Sequence, residues 1–154
     1  MDATLREVGT SQWNEQDLAG AAQIRSTLTD KNARNEDGWR EIENYSFNEL
    51  TFGSTDVGDV SWVTPTVGLR TATWVPGTAA HSWQAAAASG MSIGVKGAVV
   101  AAKALARTAQ KLYENPDLIK QARAEFDASR GTDFTYKALV GDRAPPLDYR
   151  DQKR

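Results

Sequence analysis

Histidine occurs once in the sequence, as His81, and cysteine is absent. Thiolate metal sites, thiol nucleophiles and disulfides are therefore excluded together, and any metal must be held by imidazole or oxygen ligands. His81 lies between the turn-forming pair Pro76-Gly77 and the alanine run that starts at Ala85. A histidine at the end of a strand, opening into the crevice of an α/β sheet, is well placed to ligate a metal. Zinc usually takes three or four protein ligands, so a surface or helix-capping role for a lone histidine is an equal reading. A second group of candidates lies in Gly53-Ser54-Thr55-Asp56-Val57-Gly58-Asp59. Ser54 and Thr55 can offer hydroxyl and backbone N–H donors to a substrate carboxylate, as Gly-rich turns do. Asp56 and Asp59 have the chemistry of metal ligands or base-orienting groups, and equally of residues that stabilise a turn through their own backbone. A Ser-His-Asp hydrolase can be written from Ser54 or Ser82, His81 and Asp56 or Asp59, yet no Gly-x-Ser-x-Gly nucleophile elbow is present.

The elements that must position these residues can be read from spacing and caps. Asn14 with Asp17 three residues on predicts a helix N-terminus, followed by Leu18, Ala21, Ala22 and Leu28 as its apolar stripe. From Asp30 to Glu49 the chain is polar with isolated Trp39, Ile42, Tyr45 and Phe47, which predicts a long surface excursion whose aromatics either cover a cleft or fasten the loop. Thr66–Val75 is rich in β-branched and aromatic residues, ends at Pro76-Gly77 and is the best strand candidate. Residues 93–114 predict a long alanine-rich helix, in which Gly94 and Gly97 weaken the first turns but permit close backbone approach. Asn115-Pro116-Asp117 combines a cap, a proline at the first helical position and an acid in the first turn, so another helix is expected up to Arg130-Gly131. Residues 141–154, with Pro145-Pro146, read as a flexible tail. A chain of 154 residues is expected to form one domain.

Charge narrows the partners. With 18 Lys and Arg against 20 Asp and Glu, there is no electrostatic footprint for nucleic acid or for anionic lipid. The opening Met1-Asp2-Ala3-Thr4-Leu5-Arg6-Glu7 lacks the basic patch and apolar stretch of a secretion signal, and no uncharged apolar run is long enough to span a bilayer. A cytoplasmic protein with neither nucleic-acid nor membrane partners is expected.

Two segments taken in order, Gly53-Ser54-Thr55-Asp56-Val57-Gly58-Asp59-Val60-Ser61-Trp62 and Trp74-Val75-Pro76-Gly77-Thr78-Ala79-Ala80-His81-Ser82-Trp83-Gln84, carry a resemblance. They are similar to the last part of the catalytic domain in the carboxypeptidase and aminoacylase family of two-zinc metallopeptidases, in its aminobenzoyl-glutamate-cleaving branch. Gly9-Thr10-Ser11-Gln12-Trp13-Asn14 upstream resembles the family's exit from an inserted lid domain. Downstream, Met91-Ser92-Ile93-Gly94-Val95-Lys96-Gly97 resembles the start of its closing helices. The resemblance implies an α/β fold, a partial three-layer α/β/α catalytic domain corresponding to the family's carboxyl-terminal part. It implies that His81 ligates one of two zinc ions and that Ser54, Thr55 and Asp56 position an N-acyl amino acid. The family's other metal ligands and its glutamate base come from a region with no counterpart here, so the isolated chain is expected to be hydrolytically silent. Its expected partners are a complementing amidohydrolase segment or further copies of itself. The alternative is a non-catalytic binding or oligomerisation module derived from the same fold.

Overall fold

A computed structural model describes residues 1–29, 38–46, 53, 55–148 and 150. Among these residues the regular elements are α1 (Asp2–Val8), α2 (Glu15–Ser26), a 3-10 turn (Gly38–Arg40), α3 (Val57–Ser61), α4 (Trp83–Gly90), α5 (Ser92–Glu114) and α6 (Pro116–Arg130). The chain divides into two compact units. Unit 1 comprises Met1–Thr51 and Val67–Ile119, and unit 2 comprises Phe52–Thr66 and Lys120–Arg154.

The expected α/β fold is not what forms: the described residues contain helices and no strand, so the architecture is all-α. Thr66–Val75, expected as a strand, runs without regular structure. Strand propensity describes one segment, whereas a β-ladder needs a second extended segment to exchange N–H and C=O bonds. None of the described residues supplies that neighbour. The segment instead uses its far end for packing, where Ala72 and Val75 join the core of unit 1.

That core gathers Ala21 and Ile24 from α2, Trp39, Val75 and Ile93, with Trp13, Leu18 and Met91 packed against it. Asn14 closes a full capping box on α2, its side chain accepting from the Asp17 N–H at 2.9 Å and its N–H donating to the Asp17 carboxylate at 2.8 Å. The buried stripe of α2 includes Ile24, while Ala22, expected inside, is exposed. Trp39 is buried and stacks on Trp13 with centroids 4.7 Å apart, so this aromatic of the polar stretch fastens its loop to the core. Phe47 lies outside the described residues.

α4 and α5 meet at Met91 with a 71° bend. Two glycines in the first turns of α5 permit close backbone approach, to α4 and to the segment before it. A Cβ at Gly94 would collide with the Ser89 backbone, and one at Gly97 would collide with the Ala72 carbonyl. α1 lies along α5, where Lys111 pairs with Glu7 and the Thr108 hydroxyl approaches the Met1 sulfur at 3.3 Å. Within unit 2, Trp62 stacks on Phe134 at 4.6 Å, and the Tyr136 hydroxyl donates to Asp59 Oδ1 at 2.9 Å. α6 ends where Gly131 takes φ 82°, the left-handed position that terminates a helix. The described residues of the 141–154 segment form turns and no helix.

Candidate functional site

The approach to His81 is built by a tight turn and a helix cap. The Thr78 N–H donates to the Val75 carbonyl at 3.1 Å, and Gly77 takes φ 88°, which the third position of such a turn requires. Four residues on, the Ser82 hydroxyl accepts from the Ala85 N–H at 3.1 Å and donates to the Ala79 carbonyl at 2.7 Å. The first bond caps α4 and the second ties the cap back to the turn. Trp74 adds another tie, donating from Nε1 to the Ser89 hydroxyl at 2.8 Å. Caught between turn and cap, His81 takes φ 59° and is the one non-glycine residue among those described with a positive φ. The left-handed conformation costs a side-chain-bearing residue about 1 kcal/mol. Its ring is solvent-accessible. His81 thus stands exposed on a left-handed backbone between the turn and the cap.

Ser82 is occupied by its capping duties, with its proton on a backbone carbonyl, which removes it as a nucleophile for His81. Thr55 and Asp56 belong to unit 2, His81 to unit 1, and Ser54 lies outside the described residues. The Thr55 hydroxyl accepts from the Val57 N–H at 3.3 Å, a local turn bond at the start of α3. Asp56 sits at the N-cap of α3 with its carboxylate making no capping bond, exposed and available to solvent or a ligand. Asp59 is engaged by Tyr136, and this hydrogen bond to a carboxylate raises the tyrosine hydroxyl above its ordinary pKa. Zinc requires several converging donors. Among the described residues no three His, Cys, Asp or Glu side chains gather as a metal-holding group. The residues present therefore do not by themselves fit a two-zinc centre.

Two features carry no signal in the local sequence pattern. Asp17, fully buried, accepts from Lys96 and from the Ser92 hydroxyl besides its own capping bond. The Lys96 hydrogen bond, then that of Ser92, then the Asn14 N–H lower its carboxyl to about 2. The Lys96 ammonium also donates to the Gln12 carbonyl at 3.0 Å, binding the segment before α2 to α5. The second feature is a cleft of about 800 Å³ in unit 1, walled by Trp39, Trp74 and Tyr45 with Arg70 and Glu41 at its polar side. His81 does not line it.

The chain is similar to part of a hydrolase. It is 32% identical over 148 residues to the B subunit of the p-aminobenzoyl-glutamate hydrolase of Escherichia coli (strain K12), a match covering 81% of this chain. The chain spans only 31% of the length of that relative, which accords with a resemblance confined to its carboxyl-terminal part. No family profile matches the sequence, and no solved structure does.

Proposed function

We propose that this chain is the carboxyl-terminal portion of a metal-dependent amidohydrolase that cleaves aminobenzoyl-glutamate-like N-acyl amino acids. The observation that carries the reading is the likeness to the Escherichia coli hydrolase over most of the chain, joined to an exposed histidine with a left-handed backbone between a turn and a helix cap. His81 supplies one ligand of a zinc site whose remaining ligands come from outside the matched segment. Ser54, Thr55 and Asp56 supply hydrogen-bonding groups for the substrate. His81 would be one of the residues holding a zinc ion, which would supply polarisation of the scissile carbonyl and a more acidic water. The chain's own part is to fix one imidazole and to orient the substrate, and by itself it is inactive. The relative is named as one subunit of its enzyme, which supports association with a further chain.

The test is direct. Purified chain with zinc and p-aminobenzoyl-glutamate should release no p-aminobenzoate. Adding a polypeptide that corresponds to the part of the Escherichia coli relative outside the match should restore release, and His81→Ala should lower the restored rate by about a hundredfold or more. Turnover by the chain alone would overturn the incompleteness. Restored turnover that is indifferent to His81→Ala would overturn the ligand role. An assembly that forms without turnover would leave the binding-module reading in its place.

A further inference from the structure

The cleft of unit 1 stands apart from the chemistry proposed above, since His81 does not line it. Most of its wall comes from two stretches, residues 38–46 and 68–76, and both are anchored. Trp39 is buried and stacked on Trp13, and Trp74 is tied through its indole N–H to the Ser89 hydroxyl at 2.8 Å. Trp39 contributes little ring surface, whereas Trp74 is only partly buried and Tyr45 is 64% exposed, so these two rings offer apolar surface to a ligand. The polar lining has a definite charge pattern. Arg70 is exposed and, among the described residues, its guanidinium has neither a hydrogen-bond nor an ion-pair partner. The same holds for the carboxylates of Glu41 and Glu43. Asp2, also in the wall, is neutralised by Arg6 at 3.0 Å. Opposite charges therefore line one cleft without neutralising each other. Its volume, about 800 Å³, is that of a small-molecule site.

We propose that this cleft binds a zwitterionic amino acid with an aromatic side chain, its carboxylate on Arg70, its ammonium on Glu41 or Glu43 and its ring against Trp74 and Tyr45. A guanidinium that is not already engaged can take a carboxylate through two parallel N–H donors. A simple anion would meet that group but also two carboxylates of its own sign, and a simple cation would meet the carboxylates but also Arg70. A ligand carrying both charges satisfies all three residues. Two exposed rings in the same wall favour an aromatic side chain over an aliphatic one, through ring-on-ring contact. The proposal is independent of the hydrolase reading, because no residue assigned there to metal or substrate lines the cleft.

The experiment titrates the full chain with L-phenylalanine, followed by calorimetry and by the chemical shifts of the backbone amides. A dissociation constant of about 1 mM is expected for a ligand of this size, with shifts concentrated in residues 38–46 and 68–76. Three further probes each remove one feature of the ligand. Phenylalaninamide lacks the carboxylate, 3-phenylpropionate lacks the ammonium and L-alanine lacks the ring, and each should bind about tenfold more weakly or worse. Arg70→Gln should weaken L-phenylalanine by about tenfold and leave phenylalaninamide unaffected, which a merely structural role for Arg70 would not do. The double variant Glu41→Gln, Glu43→Gln should weaken L-phenylalanine and leave 3-phenylpropionate unaffected. Both variants alter exposed side chains, so the circular dichroism of the free chain should not change. His81→Ala should leave the affinity as it is. Absence of binding up to about 10 mM, shifts that fall outside the two stretches, or equal affinity for all four probes would overturn the proposal. So would 3-phenylpropionate binding as tightly as L-phenylalanine, which would make this a site for plain aromatic acids.

Discussion

Unit 1 has a core and the described part of unit 2 has none. In unit 1, Ile93, Val75 and Ala88 are excluded from solvent and Asp17 is buried with every partner it needs. In unit 2 no described residue is buried, and the cohesion visible there is a Trp62–Phe134 stack, the Tyr136–Asp59 hydrogen bond and two arginines, Arg123 and Arg130, over the Phe126 ring. Contacts of that kind contribute about 0.5–1.5 kcal/mol each. His81 lies in the unit that has the core, and Thr55 and Asp56 lie in the other.

The largest effect should come from the centre of unit 1. Ile93 is fully excluded from solvent, and Ile93→Ala should destabilise the chain by about 3 kcal/mol in thermal or denaturant unfolding, from lost transfer energy and the cavity left behind. A loss below about 1 kcal/mol would mean that unit 1 is not the anchored one. Next comes Asp17. Its carboxyl is lowered from an unfolded value near 3.8 to about 2 by Lys96, Ser92 and the Asn14 N–H. Because the folded value is the depressed one, the stabilisation is fully present above about pH 4 and is lost as the pH falls towards about 2. Asp17→Asn should therefore cost roughly 2 kcal/mol at about pH 7. The gap between variant and parent should narrow steadily as the pH falls below the unfolded value. A gap independent of pH would show that the carboxylate's charge has no part in holding α2 to α5.

The sequence makes the helices legible because their ends are written locally. Asn14 with Asp17, and Asn115 with Pro116, start α2 and α6 by bonds and backbone restrictions that span a few residues. The strand expected over Thr66–Val75 failed for the opposite reason, since a ladder depends on a neighbour that a single segment cannot specify. The same distance hid Asp17, whose capping role is local but whose partners Ser92 and Lys96 lie 75 and 79 positions away. At His81 the residue type and its place before the alanine helix could be read, but the left-handed backbone could not. That backbone lies between a turn bond at Val75 and a cap bond at Ala79, partners that no short window of sequence specifies together. On α5 the alanine-rich helical spacing could be read, but which side of the helix is covered depends on where α1, α2 and α4 lie.

The smallest effect tests the contrast from the other side. Trp62 is 47% exposed and its stack on Phe134 is the main aromatic contact described in unit 2. Trp62→Ala should cost no more than about 1 kcal/mol, because half of the ring already faces water and little apolar area is withdrawn on stacking. Its consequence should be local. Amide exchange is expected to quicken over Val57–Ser61 and around Phe134, while amides of α2 and α5 keep their protection. If the core of unit 1 loosened in step, the two units would share one cooperative transition. Thr55 and Asp56 would then be as firmly anchored as His81.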